Sequence, residues 1–353
     1  MKIVQVINTL RYRGGAEVFT VSLCEELNKR EDVDLTLVCL HQNIHPSFLK
    51  IILNSKIKLI TINKKSKFDI KSISKLKEIL KKINPDIVNS HLAVPLTYYL
   101  AFGCKRQNWK YFHTMHNIAK FESNKLGIFA LRRLSKKQRV NFVGISEEIS
   151  KSIVDLYGKC NLVTINNGIK FLTQNSQPIK QYDLICVAGF RPQKNHKLLF
   201  DAFEELYKKD NSLRLVCLGN GELFPYYQDY INSLECKNNI EMPGAVDNVV
   251  DYLAKSKVFT LTSFYEGNPI SILEALNLGL PVIAPNVGGI PNVIKNGRNG
   301  FLFEVDNKQE LVACFDKLLK NNSLIKEIQL NNLKDSKMYS IEECCDHYLE
   351  CYR

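Results

Sequence analysis

The sequence lacks the features that mark exported or membrane-spanning proteins. Residues 1–7 have the apolar pattern of a β-strand, and this start is too short and too lightly flanked by charge for a signal peptide. The uncharged run at residues 92–104 contains Pro95 and falls well short of the roughly 20 apolar residues that cross a bilayer. We therefore expect a cytoplasmic protein with no integral membrane segment.

Metal-binding patterns are also missing. The eleven cysteines form no CxxC pair, and the seven histidines form no HExxH motif, so a disulfide framework and a structural zinc site are not expected. The sole DxD, Asp32-Val33-Asp34, is followed by apolar residues and is interpreted as the edge of a strand. We expect no metal and no cofactor.

Two common nucleotide-binding motifs are absent. Gly14-Gly15 precedes a predicted helix and permits close approach of the backbone to an anion. A third glycine is missing, which excludes a dinucleotide fingerprint, and no GK[ST] follows, which excludes a P-loop. Gly15 remains a candidate anion contact outside both motifs.

The whole chain has a net charge of +12, and its positive charge is concentrated in the first half. Residues 1–165 hold 28 Lys and Arg against 13 Asp and Glu, a net of +15, and the remainder is −3. The densest runs are 64–67 and 132–139. This bias favours an anionic bilayer surface or a pyrophosphate-bearing lipid as a partner, and a plain solvated surface is the open alternative. No nucleic-acid-binding motif is present, so nucleic acid is not expected as a partner.

Short apolar strands alternate with helical segments along the whole chain, which is typical of parallel α/β sheets. We predict an α/β protein with two Rossmann-like domains facing a cleft, at residues 1–165 and 166–335, and a last helix in 336–353. Polar residues 173–181 are predicted to be a linker. The predicted strands are 2–7, 34–39, 58–62, 87–90, 110–114, 141–145, 162–165, 183–188, 214–218, 240–242, 258–261, 281–284 and 300–303.

Residues 263–281 carry the most informative pattern, two acids on either side of a predicted helix start. Asn268 is predicted as the N-cap and Pro269 as the first helical residue, and Gly279 is expected to end the helix. Free backbone N–H groups at such a start suit a phosphate. Glu266 can then reach a polar group beyond the phosphates, and Glu274, two turns into the helix, can accept hydrogen bonds from a ribose diol. This pattern indicates a nucleotide-sugar site, and a capped amphipathic helix with two surface acids is the alternative.

A second cluster of charge follows the first predicted strand of the second domain. Sugar transfer from a nucleotide diphosphate leaves a charged pyrophosphate that needs stabilisation by cations. Arg191 and Lys194 lie at the carboxyl edge, where α/β sheets bind ligands, and their side chains suit phosphate oxygens. An ordinary solvent-facing loop is the alternative.

The 263–281 segment resembles the E-x7-E signature of retaining glycosyltransferases of the GT-B fold, in particular family 4, and 188–196 resembles the family's RPxKNH segment. The resemblance implies that Arg191 and Lys194 grip the diphosphate, together with the helix start formed by Gly267, Asn268, Pro269 and Ile270. It implies that Glu274 holds the ribose and that Glu266 orients the sugar.

Weaker matches extend the resemblance over nearly the whole chain. The resemblance implies that Gly15 of a GGAE segment contacts the diphosphate, that His116 of a TxHD-like segment contacts the donor sugar, and that backbone around Gly244 and Val246 contacts the base. Gly219 belongs to a GxG segment that also matches. For each of these residues an ordinary loop or strand-end role is the alternative. The resemblance further implies that the last helix crosses back to the first domain.

The implied activity is transfer of a hexose or N-acetylhexosamine from a nucleotide-diphospho-sugar, with UDP favoured, to a lipid-linked surface-glycan acceptor at the inner face of the cytoplasmic membrane. Anomeric configuration is expected to be retained and no metal to be needed. Two other functions stay open at this point: a UDP-sugar epimerase of the same fold, and a catalytically silent partner subunit of another transferase.

Overall fold

The computed structural model describes residues 1–66, 69–103, 105, 107–171 and 178–353. These residues form two compact units, one of Met1–Lys170 with Tyr339–Arg353 and one of Phe171–Met338. The first unit thus extends five residues past the predicted boundary at 165 and includes the end of the chain. Residues 173–177 of the predicted linker, and Lys67 of the first basic run, lie outside the described residues.

The first unit contains a seven-stranded parallel sheet in the order β3-β2-β1-β4-β5-β6-β7. Its central strand β4 is buried along its whole length because helices cover both faces, as parallel sheets require. Its strands are β1 (Lys2–Ile7), β2 (Asp34–Cys39), β3 (Lys58–Thr61), β4 (Ile87–His91), β5 (Lys110–Met115), β6 (Asn141–Gly144) and β7 (Asn161–Thr164). Its helices are α1 (Gly15–Leu27), α2 (Pro46–Asn54), α3 (Ile70–Ile83), α4 (Pro95–Phe102), α5 (Ala119–Glu122), α6 (Lys125–Lys136) and α7 (Glu147–Tyr157).

The second unit contains a six-stranded parallel sheet in the order β10-β9-β8-β11-β12-β13. Its strands are β8 (Tyr182–Val187), β9 (Leu215–Leu218), β10 (Ile240–Gly244), β11 (Ser256–Thr260), β12 (Val282–Pro285) and β13 (Gly300–Phe303). Its helices are α8 (His196–Tyr207), α9 (Phe224–Asn232), α10 (Val249–Ala254), α11 (Ile270–Asn277), α12 (Ile290–Val293), α13 (Lys308–Leu319) and α14 (Asn322–Asp335). The prediction of two Rossmann-like α/β domains is confirmed, and every predicted strand is present with ends that differ by at most two residues.

The last helix, α15 (Ile341–Tyr352), packs within the first unit against α1. Ser340 caps it by accepting a hydrogen bond from the backbone N–H of Glu343 (3.0 Å). Ile169 fixes its start, since the backbone N–H of Ile341 donates to the carbonyl oxygen of Ile169 (2.9 Å). Tyr348 and Tyr352 are fully buried, so α15 contributes to the core of the first unit. The whole second unit, Phe171–Met338, separates α15 in sequence from the rest of that unit.

The start of α11 differs from the prediction. The helix begins at Ile270, and Pro269 occupies the N-cap with an extended backbone (φ −70°, ψ 117°) and no side-chain capping bond. Asn268 is therefore not the N-cap, and Pro269 is not the first helical residue. Glu274 is the fifth residue of α11, little more than one turn from its start, so its predicted place two turns in was also wrong. Gly279 follows the helix with a positive φ of 78°, as predicted.

Candidate active site

In the second sheet β8 lies beside β11. From β8 the chain continues to β9 on one side, and from β11 it continues to β12 on the other side. The loops after such a pair diverge and open a crevice at the carboxyl edge. Arg191 and Lys194 follow β8, and Glu266 follows β11. The structure thus brings together the predicted phosphate-binding cations and the first predicted acid.

Lys194 and Glu266 form a largely buried ion pair. Lys194 Nζ lies 2.5 Å from Glu266 Oε1, and the two side chains are 20% and 7% exposed. Ser263 Oγ donates to the same carboxylate oxygen at 2.6 Å. A carboxylate this buried needs such partners, because an unpaired buried charge is strongly destabilising. The ammonium group of Lys194 carries three protons, so two remain for other acceptors such as phosphate oxygens.

The two loops that carry this pair are joined by further hydrogen bonds. The side-chain amide of Gln193 donates to the carbonyl oxygen of Tyr265 (2.8 Å), and the backbone N–H of Phe264 donates to the carbonyl oxygen of Gln193 (2.8 Å). Thr262 Oγ1 lies 3.0 Å from the carbonyl oxygen of Asn195, to which it donates. The site is therefore held rigidly. Sequence reasoning missed Ser263, Gln193 and Thr262, whose only signal was that they are polar residues adjoining the predicted pair.

The side chain of Phe190 lies in the core of the second unit, whereas that of Arg191 is exposed to solvent. The ring of Phe190 is fully buried and stacks on the ring of His196, with 4.1 Å between centroids. Arg191 is exposed and extended (φ −127°, ψ 156°). Phe190 thus anchors the loop in the core and leaves the guanidinium of Arg191 at the surface of the carboxyl edge.

Gly219 and Gly244 lie at the same edge, after β9 and at the end of β10. A Cβ on Gly219 would lie 2.1 Å from the carbonyl oxygen of Ala188, and its φ is +141°, so only glycine fits there. Its N–H donates to the carbonyl oxygen of Gly244 (2.9 Å). Packing of these loops therefore accounts for Gly219. Val246 is half-buried two residues further on.

The other predicted donor-binding residues surround the start of α11. Gly267 and Asn268 are buried, Pro269 is half-buried and Ile270 opens the helix. Glu274 is half-buried on the same helix. The backbone N–H of Gly289 donates to the carbonyl oxygen of Glu266 (3.2 Å) and links this segment to the loop after β12.

Gly15 and His116 lie in the first unit, at the carboxyl edge of its own sheet. Gly15 is exposed as the first residue of α1, and Gly14 at the N-cap provides no side chain to cover the helix start. His116 directly follows β5 and is half-buried. The structure therefore places these two residues in a different unit from Arg191 and Glu266.

A chain of hydrogen bonds fixes the protonation of His116. Gln5 donates through its amide nitrogen to the hydroxyl of Tyr352 (3.1 Å), so its oxygen faces His91 Nε2 (2.8 Å) and accepts the proton there. His91 Nδ1 must then accept, and His116 Nε2 donates to it at 2.9 Å. Burial, and to a smaller extent the nearby His113, lower the pKa of His116 to about 3. His116 is therefore neutral, with its lone pair on Nδ1. His91 itself is fully buried at the end of β4.

Glu122, at the end of α5, was not predicted. The pKa of its carboxyl group is raised to about 8 as the net of several effects: burial raises it most, the backbone N–H groups of His116 and Asn117 lower it, and the charge of Glu17 raises it. Its Oε1 is buried and has no hydrogen-bond partner among the described residues. A single glutamate in an ordinary polar segment gave no signal in the sequence, because its pKa depends on packing.

The DxD segment is a strand edge, as interpreted. Asp34 is the first residue of β2 and pairs with Lys58 at 2.5 Å. Within 1–66, 69–103, 105, 107–171 and 178–353, no group of three or more His, Cys, Asp and Glu side chains could hold a metal ion. In the same ranges no helix has the length and apolar character needed to cross a membrane.

Comparison with known proteins agrees with this architecture. Residues 13–171 match the model of Glycosyltransferase Family 4, and residues 170–335 match that of Glycosyl transferases group 1. The chain is 25% identical to an uncharacterized glycosyltransferase of Haemophilus influenzae over 95% of both chains. It is 28% identical to the UDP-Gal:alpha-D-GlcNAc-diphosphoundecaprenol alpha-1,3-galactosyltransferase of Escherichia coli, covering 81% of this chain and 80% of that one. The structure of HepE from Anabaena in complex with UDP-glucose superposes with a TM-score of 0.86 at 16% identity over 99% of both chains.

The two Rossmann-like domains define a protein of the GT-B fold. The chain belongs to the group 1 glycosyltransferases, family 4, and the resemblance of its motifs to this family is confirmed.

Proposed function

We propose that this glycosyltransferase transfers a hexose or N-acetylhexosamine from a UDP-sugar to a lipid-linked glycan, with retention of anomeric configuration and without a metal. The ion pair of Lys194 and Glu266, held at the carboxyl edge beside the start of α11, is the observation that carries the proposal. The names of relatives support its two substrates, since the Escherichia coli enzyme uses UDP-Gal and a diphosphoundecaprenol-linked acceptor.

In the proposed reaction the bond between the sugar C1 and the diphosphate oxygen breaks, and its electron pair leaves with the diphosphate. Arg191, Lys194 and the backbone N–H groups of Gly267, Asn268 and Ile270 stabilise that charge. Glu266 orients the sugar and Glu274 the ribose. The acceptor oxygen bonds to C1 on the face that the diphosphate leaves, and a diphosphate oxygen takes the acceptor's proton.

The remaining predicted contacts keep the roles that the resemblance implies and stay predictions. Gly15 is assigned to the diphosphate, His116 to a sugar hydroxyl through the lone pair on Nδ1, and backbone at Gly244 and Val246 to the base. Gly219 is assigned a packing role beside these contacts.

Association with an anionic membrane surface is part of the proposal, and α6 is the element that supports it. Leu126 and Phe129 are 44% and 50% exposed on this helix. Exposed Lys125, Arg132 and Arg133 flank them. Apolar side chains framed by cations suit insertion among anionic head groups.

The first experiment measures release of free nucleotide from UDP-, GDP- and ADP-sugars, with and without lipid-linked acceptor. We expect release from one UDP-sugar only when acceptor is present, and NMR of the product should show the anomeric configuration of the donor. Conversion of a UDP-sugar without acceptor would indicate the epimerase instead. Nucleotide binding without any turnover would indicate the silent partner subunit.

A further inference from the structure

A cavity of about 280 Å³ lies in the first unit, at the carboxyl edge of its sheet. It spans the point where β1 lies beside β4. From β1 the chain continues to β2 on one side, and from β4 it continues to β5 on the other side, so this is a topological switch point. Such switch points are where α/β sheets bind ligands. Its lining includes Asn8 and Ala93, which follow β1 and β4, together with the polar residues His41, Lys64, Ser123 and Asn124.

The charge in this cavity is positive and lacks a counter-ion. Lys64 is half-buried, its Nζ donates to Thr97 Oγ1 at 3.3 Å, and within the described part of the chain it forms no ion pair. Burial lowers the pKa of Lys64, and the charge of Asp69 raises it. The carboxylate of Asp69, however, accepts its hydrogen bonds from the backbone N–H of Lys65 and from Ser72. Among the described residues, no Asp or Glu lines the cavity. A partly buried ammonium group without a carboxylate partner favours binding of an anion.

Several uncharged donors line the same space. Ser123 Oγ is buried and has no hydrogen-bond partner among the described residues. Asn124 uses its side-chain oxygen to cap α6, accepting from the backbone N–H of Gly127 (2.9 Å), which leaves its amide N–H groups available. His41 is half-buried, and burial and then the charge of Lys64 lower its pKa, so it is a neutral ring with one N–H to donate. One cation with several dispersed donors suits the multiple oxygens of a phosphate.

We propose that this cavity binds a phosphate group of the acceptor substrate, with Lys64 as the principal contact and His41 and Ser123 as further donors. That this phosphate belongs to an acceptor rests on the proposed function, whereas the affinity for phosphate rests on the cavity itself. The same chemistry is offered by a soluble phosphate monoester and by the diphosphate of a lipid-linked sugar.

The test measures binding to the full chain in the presence of saturating UDP, so that phosphate cannot bind in the proposed donor site. Titration calorimetry with glycerol 1-phosphate and with a detergent-solubilised polyprenyl diphosphate provides the two arms. We expect Lys64→Gln to weaken binding of at least one probe about ten-fold or more, as loss of a charged hydrogen bond does. Lys65→Gln, an exposed neighbour that does not line the cavity, is the matched control and should bind both probes as the wild type does.

The arms separate the sources of the phosphate. Lys64-dependent binding of glycerol 1-phosphate means that the head group alone is recognised, and Lys64-dependent binding of the polyprenyl diphosphate alone means that a lipid is required. Either result supports the proposal. Binding that Lys64→Gln leaves unchanged, or no binding of either probe by the wild type, overturns it.

Two controls keep this result separate from the proposed function. Circular dichroism and thermal unfolding show whether Lys64→Gln folds, and His41→Gln provides a second variant in the same cavity, with weaker binding again expected. UDP should bind to Lys64→Gln with wild-type affinity. If UDP binds to no form of the protein, the donor assignment is wrong, and titration without UDP then tests Lys64 by itself.

Discussion

Lys194 and Glu266 combine a structural and a catalytic role, and their ion pair allows the two to be separated. Lys194→Met should lower kcat by about 100-fold or more, since it removes a cation from the leaving diphosphate. It should also destabilise the fold by roughly 3 kcal/mol, because Glu266 stays buried without its cation. Kinetics with the identified donor and denaturant unfolding measure the two effects.

The controls for this pair use neighbouring substitutions. Lys197→Met removes an exposed lysine of α8 that pairs with Asp201, and it should leave kcat unchanged. The double variant Lys194→Met with Glu266→Gln should regain much of the lost stability and none of the activity. Recovery of activity in the double variant would show that the lysine only neutralises Glu266 and does not act on the diphosphate.

Glu122 should make the stability of the protein depend on pH. Its pKa is raised to about 8 in the folded state, so the folded protein holds a proton that the unfolded chain loses near pH 4.5. Stability from this group is therefore complete below about pH 4.5 and decreases as the pH rises towards 8. Glutamine has nearly the shape of a protonated glutamate and does not titrate. The free energy of unfolding of Glu122→Gln, relative to that of the wild type, should therefore rise between pH 5 and 8. A difference that is constant over this range would show that Glu122 is ionised in the folded protein.

At the scale of single elements, α6 is the helix that we expect to contact the membrane. Phe129→Ser and Arg132→Glu with Arg133→Glu should each reduce co-sedimentation with vesicles rich in anionic lipid, by several-fold for the double charge reversal. Lys326→Glu with Lys334→Glu, on α14 of the second unit, is a control with the same change of charge as the double reversal but outside α6. Binding that is insensitive to the anionic lipid content would contradict the membrane proposal.

The strands and their order along the chain were predictable because each strand depends on the pattern of apolar residues within it. Strands such as β9 (Leu215–Leu218), buried at every position, leave continuous apolar runs, and the residues after parallel strands share one edge of the sheet. The start of α11 was missed because the extended ψ of Pro269 is set by its surroundings. The bond between Gln5 and Tyr352 joins residues 347 positions apart, and no spacing in the sequence encodes it.

At the scale of the whole molecule, α15 ties the end of the chain to the core of the first unit. Its two buried tyrosines contact polar groups of that sheet: Tyr352 accepts from Gln5, and Tyr348 lies 3.3 Å from Thr114 Oγ1. Through Gln5 and His91 this helix also sets the tautomer of His116. The chain therefore completes its first unit only after the second has been synthesised.

Tyr348→Ala should accordingly destabilise the first unit by about 3–5 kcal/mol, the usual cost of removing a buried aromatic side chain. Hydrogen exchange should become faster for amides of β1 and β4, while those of β8 and β11 keep their protection, because Tyr348 belongs to the first unit alone. Tyr352→Phe retains the ring and loses one hydroxyl, so it should cost about 1 kcal/mol and shift the nitrogen resonances of His91 and His116. Equal loss of protection in both sheets on Tyr348→Ala would show that the two units unfold as one, with α15 stabilising the whole chain.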